Sequence, residues 1–227
     1  MAATQRLSDE HRRDVASARP HRLDAQEKTP VAVERDRPEV QAKRDDFIAK
    51  QPQLDAGRLI FIDESGFRLG SPPRYGWAPR GKDSFGKTVE GQWETMTMIG
   101  ALALDGFRGF MTVDAATAAD VFRAFVEQQL VAHLRAGDIV VMDNLSAHRD
   151  ADAIAAIQAC GADVLFLPPY SPEFNPIEKA WAKIKDALRR LVTRTRDAFD
   201  AAVATAMAAI SPNDVRAWTA HAGYSLP

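Results

Sequence analysis

Short apolar runs that end in polar turns recur along most of the chain. Three continuous apolar runs are typical of strands buried on both faces of a sheet: residues 59–62 (LIFI), 139–142 (IVVM) and 164–167 (VLFL). Residues 94–104 and 107–113 are strand-like and flank Asp105-Gly106, a pair that favours a hairpin turn. The pattern therefore predicts five strands, the first of which ends at a polar turn beginning at Asp63.

Segments with helical spacing separate these strands. Apolar residues three or four positions apart between 121 and 134 predict one helix, residues 151–159 predict a second, and another begins near Asn175 after a proline-rich break. The order strand, hairpin, helix, strand, helix, strand, helix predicts an α/β fold, a mixed five-stranded sheet flanked by helices.

The first quarter of the chain has a different character. Residues 1–57 carry many charges and few large apolar side chains, so they cannot bury much core by themselves. We expect this segment to be partly disordered, with a short helix near residues 38–50 docked on the main body. Residues 58–227 are then the single folded domain.

Composition narrows the classes of function. The 227 residues include 29 Lys and Arg against 31 Asp and Glu, which excludes a uniformly basic histone-like protein but leaves room for a local nucleic-acid site. The single cysteine, Cys160, excludes an intrachain disulfide and a multi-thiolate zinc site. The chain has neither an apolar leader nor a membrane-length apolar run, so we expect a cytoplasmic protein that does not bind membranes.

Three acidic residues are the candidates for chemistry. Asp63 and Asp143 each follow a predicted buried strand, and Glu178 lies in the first turn of a predicted helix. Carboxyl ends of neighbouring strands open onto a common crevice, where converging carboxylates repel one another unless divalent cations bind. Paired metal ions suit phosphodiester chemistry, so the sequence indicates metal-assisted phosphoryl transfer on nucleic acid.

Each acid also has a structural alternative. Asp63 and Asp143 are equally compatible with turn residues that bond their own backbone, and Glu178 fits a capping arrangement with Asn175 as the N-cap. Asn144, His148 and Asn175 are further candidates for supporting roles, although a structural hydrogen bond is the more common role of a histidine such as His148.

Basic residues flank the acids and are candidates for contacts with DNA phosphates. The first group lies in the Pro/Gly-rich segment after Asp63, and the second on the helix that carries Glu178. The candidates are Arg74, Arg80 and Lys82 in the first group and Lys179, Lys183 and Lys185 in the second. A solvated helix face and a charged loop are the alternative interpretation.

Four motifs carry a resemblance to a known family. They are FIDESGF around Asp63, RYGWAPRGK at residues 74–82, VVMDNLSAH around Asp143 and LPPYSPEFNPIEKAW at residues 167–181. Together they resemble the bacterial insertion-sequence branch of the mariner-like DDE transposases. The resemblance implies a ribonuclease-H-like fold in which Asp63, Asp143 and Glu178 bind two Mg²⁺ ions, with Mn²⁺ as a substitute.

The resemblance also implies a reaction and partners. Water cuts DNA at a transposon end, and the freed 3′-hydroxyl then attacks target DNA, so the partners are both DNAs and a second copy of the chain in a homodimer. A bacterial transposase would associate with the nucleoid when it binds DNA. Residues 1–27 do not resemble the helix-turn-helix modules that usually precede such a domain, so a truncated, non-enzymatic remnant that inhibits an intact transposase is an alternative. A junction resolvase is a third possibility, against which the motif at residues 167–181 argues.

Overall fold

A mixed five-stranded sheet lies at the centre of the protein. The computed structural model describes residues 32–73, 77–85, 94–116, 118–191 and 193–227. The strands are β1 (Leu59–Arg68), β2 (Thr95–Ala103), β3 (Gly106–Val113), β4 (Ile139–Met142) and β5 (Asp163–Phe166). Their order across the sheet is β3-β2-β1-β4-β5, with antiparallel β3-β2-β1 and parallel β1-β4-β5.

Helices flank this sheet, so the predicted fold class is confirmed. They are α1 (Pro38–Lys50), α2 (Ala119–Phe125), α3 (Ala151–Ala159), α4 (Ile177–Leu191), α5 (Arg196–Ala208) and α6 (Pro212–His221). Helix α2 runs on through a π-helical turn, Val126–Leu130, and a 3₁₀ turn, Val131–His133. None of the helices in the described parts of the chain is both long and apolar enough to cross a membrane.

Strand β1 is longer than the sequence predicts. The turn expected from Asp63 onward is wrong, because β1 continues to Arg68 by pairing with β2 through Arg68 opposite Thr95. Its parallel partner β4 pairs only as far as Phe61 opposite Val141. The second half of β1 therefore keeps its hydrogen bonds on one edge only, which leaves polar residues beside the end of β4.

Two hydrophobic cores cover the two faces of the sheet. Because side chains alternate along a strand, Phe61 packs in the core that contains α4 and α5, whereas Ile60 and Ile62 pack in the core that contains α2 and α3. The same alternation places Asp63 on the α4 side and Glu64 on the α2 side. The side chains of Asp63 and Glu64 thus lie on opposite faces of the sheet.

Helix α1 is anchored to the segment that precedes α4. Buried Arg44 donates to Ser171 Oγ (2.5 Å) and forms an ion pair with Glu173 (2.5 Å), and the Phe47 and Phe174 rings stack with their centroids 5.0 Å apart. The compact body of the protein spans Ala32–Pro227 and includes this helix. The proline-rich segment before α4 is therefore held from the α1 side.

Candidate active site

The three predicted acids line one cavity at the carboxyl end of β4. The register of β1 with β4 pairs Phe61 with Val141, and the same offset carries Asp63 onto Asp143. Glu178 approaches from the first turn of α4, which packs on β1. The cavity has a volume of about 490 Å³, and its other walls are Asn144, Leu145, Asn175 and residues 167–172.

The indole of Trp181 holds Asp63. Trp181 lies three residues after Glu178 on the same face of α4, is 1% exposed, and donates from Nε1 to Asp63 Oδ2 at 3.1 Å. Gly100, opposite Asp63 on β2, makes room for this ring, because a Cβ at position 100 would lie 2.9 Å from it. Burial, followed by the charges of Glu178 and Glu64, raises the pKa of Asp63 to about 8.

A buried histidine links Asp143 to Glu64. His148 is fully buried in the 3₁₀ turn Ser146–Arg149, and its Nε2 donates to Glu64 Oε1 at 2.8 Å. Its Nδ1 lies 2.7 Å from Asp143 Oδ1, an ion-pair distance without the alignment of a regular hydrogen bond. Burial opposes the charged imidazolium, but the two carboxylates outweigh it and raise the pKa of His148 to about 10.

These contacts keep the half-buried Asp143 carboxylate ionised. Its burial alone would raise the pKa, but His148 and the Leu145 amide, which donates to Asp143 Oδ1 at 2.8 Å, lower the pKa below its usual range. The Leu145 contact is the backbone turn bond that the sequence allowed as an alternative role. Asp143 thus makes this turn bond with one oxygen while it lines the cavity.

Glu178 and Asn175 complete the oxygen-rich wall of the cavity. Burial and the charge of Asp143 raise the pKa of Glu178, although the charge of Lys185 opposes this shift. The predicted capping role of the Asn175 side chain is wrong, because its Oδ1 is buried without a hydrogen-bond partner and only its backbone oxygen accepts from Glu178 N. Asn175 Oδ1 is therefore an unpaired buried oxygen in the wall of an acidic cavity.

This donor set fits a hard divalent cation. Three carboxylates and an amide oxygen are the ligand types that Mg²⁺ and Mn²⁺ accept. The pKa values of Asp63 and Glu178 are raised first by burial and then by neighbouring carboxylates, whose charge a cation would neutralise. Within the described ranges, no three or more His, Cys, Asp or Glu side chains already stand together as a group that could hold a metal ion. Asp63 and Asp143 are instead engaged by Trp181 and His148.

The other predicted residues are spread more widely. Asn144 lines the cavity, donates from Nδ2 to Leu167 O and accepts from Arg149. Arg80, Lys82 and Lys179 are exposed, and Lys185 is near enough to influence Glu178. Lys183 bonds to Asp214 (2.8 Å) and Ala209 O (2.9 Å), which directs its ammonium toward α6. Arg74 lies outside the described residues.

Sequence reasoning missed Glu64 and Trp181 as contacts of the acids. Strand alternation turns Glu64 away from Asp63, and His148 lies on the side of the strand that Glu64 faces. The spacing of Trp181 from Glu178 was a usable signal, since residues three apart share a helix face. No local signal connected Glu64 to His148, which are 84 positions apart.

Comparisons with known proteins identify the family and the fold of the chain. The sequence model of one family, described as DDE superfamily endonuclease, matches residues 58–200. No curated protein sequence is significantly similar to the chain.

Several solved structures share the fold at low sequence identity. The Mos1 transposase in a paired-end complex with a left transposon end has a TM-score of 0.67 at 13% identity, over 88% of this chain and 68% of that chain. The Mos1 mariner paired-end complex with Mn has a TM-score of 0.71 at 12% identity, over 88% of this chain and 64% of that chain. The Mos1 mariner catalytic domain has a TM-score of 0.54 at 13% identity, over 90% of this chain and 100% of that chain. These matches confirm the ribonuclease-H-like fold.

Proposed function

The chain belongs to the DDE superfamily of endonucleases, and from this premise we propose that it is the catalytic part of a DNA transposase. Its reaction is divalent-metal-dependent cleavage of DNA at transposon ends, followed by attack of the freed 3′-hydroxyl on target DNA. The observation that carries the proposal is the meeting of Asp63, Asp143 and Glu178 in one cavity.

The acids have distinct tasks in this proposal. Asp143, kept ionised by His148 and the Leu145 amide, is the carboxylate ready to bind a cation at neutral pH. Asp63 is oriented by the Trp181 indole and gives up its proton when a cation binds. Two Mg²⁺ or Mn²⁺ ions held by these residues and Glu178 would supply Lewis-acid activation of the attacking oxygen and charge neutralisation at the leaving oxygen.

The partners and setting follow from the same proposal. The substrates are transposon-end and target DNA, and Arg74, Arg80, Lys82, Lys179 and Lys185 are candidates for phosphate contacts. One Mos1 transposase structure named above is a paired-end complex with a left transposon end, which supports a DNA substrate for this chain. We further propose a bacterial insertion sequence as the source and a homodimer as the active form, located in the cytoplasm and at the nucleoid when bound to DNA.

Metal binding is the first step to test. Thermal unfolding should show a Mn²⁺-dependent rise in midpoint for the wild type, because a ligand that binds the folded state stabilises it by mass action. Asp63→Asn and Asp143→Asn should lose this rise. Asp186→Asn, a change at a half-exposed aspartate on α4 that pairs with Arg190, should keep this rise. An equal rise in all four proteins would contradict the assigned metal site.

Cleavage of DNA is the second step. With Mn²⁺, the wild type should nick duplex DNA that carries the element's ends, and Asp143→Asn should not. Retained cleavage by a folded Asp143→Asn protein would reject the proposed catalytic role. A wild type that binds metal but neither cleaves nor joins DNA would instead favour a non-enzymatic remnant that inhibits an intact transposase, which inhibition assays with such a partner would test.

A further inference from the structure

A second cavity adjoins the acidic one. Its volume is about 440 Å³, and it shares four wall residues with the acidic cavity, namely Asn144, Leu167, Pro168 and Pro169. Its remaining walls come mainly from α1 and from the end of β5. We call it the α1 groove. The two cavities thus share a wall that is made of Asn144 and residues 167–169.

The two cavities carry opposite charge. The acidic cavity is lined by three carboxylates and by no Lys or Arg among the described residues. The α1 groove is lined by three cations, Lys43, Lys50 and Arg149, and by one acid, Asp46, which gives a net charge of +2 (3 minus 1). Lys50 is paired with Asp46 at 2.7 Å, so the uncompensated charge belongs to Lys43 and Arg149.

Arg149 is held in place beside the acidic cavity. One guanidinium nitrogen donates to Asn144 Oδ1 at 2.7 Å, and the guanidinium carbon lies 5.4 Å from the centre of the Phe166 ring. Among the described residues, no carboxylate forms an ion pair with Arg149 or with Lys43. A fixed guanidinium with unused N–H groups is suited to bidentate binding of a phosphate.

The 3₁₀ turn Ser146–Arg149 connects this guanidinium to the catalytic acids. The turn presents His148 inward to Asp143 and Arg149 outward to the groove. The amide of Asn144, next to Asp143 in sequence, spans the wall between the cavities by bonding both Leu167 O and Arg149. A phosphate bound at Arg149 is therefore separated from the acids only by the wall that the two cavities share.

From this arrangement we propose that the α1 groove binds the sugar–phosphate backbone of the DNA strand that continues from the phosphodiester in the acidic cavity. Arg149 and Lys43 contact phosphates, and the apolar walls formed by Phe47, Leu54 and Phe166 pack against sugars. The proposal rests on the proposed function and adds a phosphate site to it. Neither cation belongs to the basic groups identified from the sequence.

Salt-dependent DNA binding tests the groove. DNA binding is measured for the wild type, Arg149→Gln, Lys43→Gln and the double variant by titration with a fluorescent DNA duplex in EDTA at several salt concentrations. Log affinity falls as log salt rises, and each lost phosphate contact should make this slope shallower by about 1. The slope of the double variant should be shallower by about 2. Arg149→Lys, which keeps the charge, should retain most of the slope.

Control variants separate the groove from general charge and from folding. Arg216→Gln removes an exposed arginine on α6 that lines neither cavity, so its slope should match that of the wild type. Lys43 is exposed and has no partner among the described residues, so Lys43→Gln should unfold like the wild type. An unchanged slope for both single variants would overturn the proposal, as would an equal loss in Arg216→Gln.

Failure of the proposed groove can be distinguished from failure of the proposed transposase reaction. A wild type that binds DNA but does not cleave it with Mn²⁺ would reject the transposase reaction, while a reduced slope in the variants would still support the groove. A wild type that cleaves DNA, with groove variants of unchanged slope, would reject the groove alone. Absence of DNA binding by the wild type would reject both.

Discussion

Replacing Glu64 with Gln should destabilise the protein at neutral pH and flatten the dependence of its stability on pH. The reason is the buried contact between Glu64 Oε1 and His148 Nε2 at 2.8 Å. His148 is fully buried, and Glu64 is one of two carboxylates among the described residues that compensate its positive charge. Gln keeps the size and a hydrogen-bonding oxygen but removes the charge.

The magnitude follows from proton linkage. The pKa of His148 is about 10 in the folded protein against a usual 6.5, so the stabilisation is fully present below about pH 6.5 and is lost as the pH rises through about 10. This pKa difference of about 3.5 (10 minus 6.5) limits the contribution of His148 to the free energy of unfolding to ~5 kcal/mol. Because two carboxylates share this effect, Glu64→Gln should cost roughly 2 kcal/mol near pH 7 and much less above pH 10.

Urea unfolding in EDTA at several pH values measures both parts of the prediction. The matched control is Glu127→Gln, the same chemical change at an exposed glutamate on the π-helical turn, which should stay within about 0.5 kcal/mol of the wild type. A Glu64→Gln protein as stable as the wild type near pH 7 would refute the reasoning. So would a loss of stability that stays constant from about pH 7 to pH 10.

Three further predictions concern single sites. The pKa of Asp63 is raised to about 8, so a metal ion must displace a proton from this carboxyl group. The affinity for Mn²⁺, measured by calorimetry, should therefore increase as the pH rises toward 8, and an affinity that does not depend on pH would contradict this. Tyr170 has a left-handed backbone with φ of 56°, so Tyr170→Gly should raise the free energy of unfolding by about 0.5 kcal/mol, and a lower value would argue against backbone strain. Gly100→Ala would place a Cβ 2.9 Å from the Trp181 ring and should cost about 1–3 kcal/mol in urea unfolding; wild-type stability would mean that the ring can move aside freely.

Most of the sheet was predictable because its signals are local. The runs LIFI and IVVM are short, continuous and apolar, and Asp105-Gly106 lies between two strand-like segments, with Gly106 at a φ of 129° that favours glycine. The second half of β1 was not predictable. Its polar residues have the composition of a turn, and they form a strand only because β2 pairs with β1 as far as Arg68.

The candidate site was predictable in its acids but not in the residues that hold them. Asp63 and Asp143 were expected at neighbouring strand ends, and the register of β1 with β4 brings them together. The support that Glu64 gives to His148 was not predictable, because it depends on which residues pack against the α2 side of β1. The position of Arg149 depends on its bond to the Asn144 side chain, and the charge of an arginine in the sequence carries no information about the groove beside it.

The alternation along β1 explains why the acids are held from both faces of the sheet. Asp63 meets Trp181 in the core that contains α4, whereas Glu64 meets His148 on the side of α2, where the Phe122 and His148 rings lie 4.7 Å apart. A carboxylate at the edge of an acidic cavity is repelled by its neighbours and would move apart from them if it were free. Packing from two cores opposes this movement before any cation binds. The two cores therefore do more than stabilise the sheet, because they hold like charges at one cavity, where the proposed divalent ions would bind.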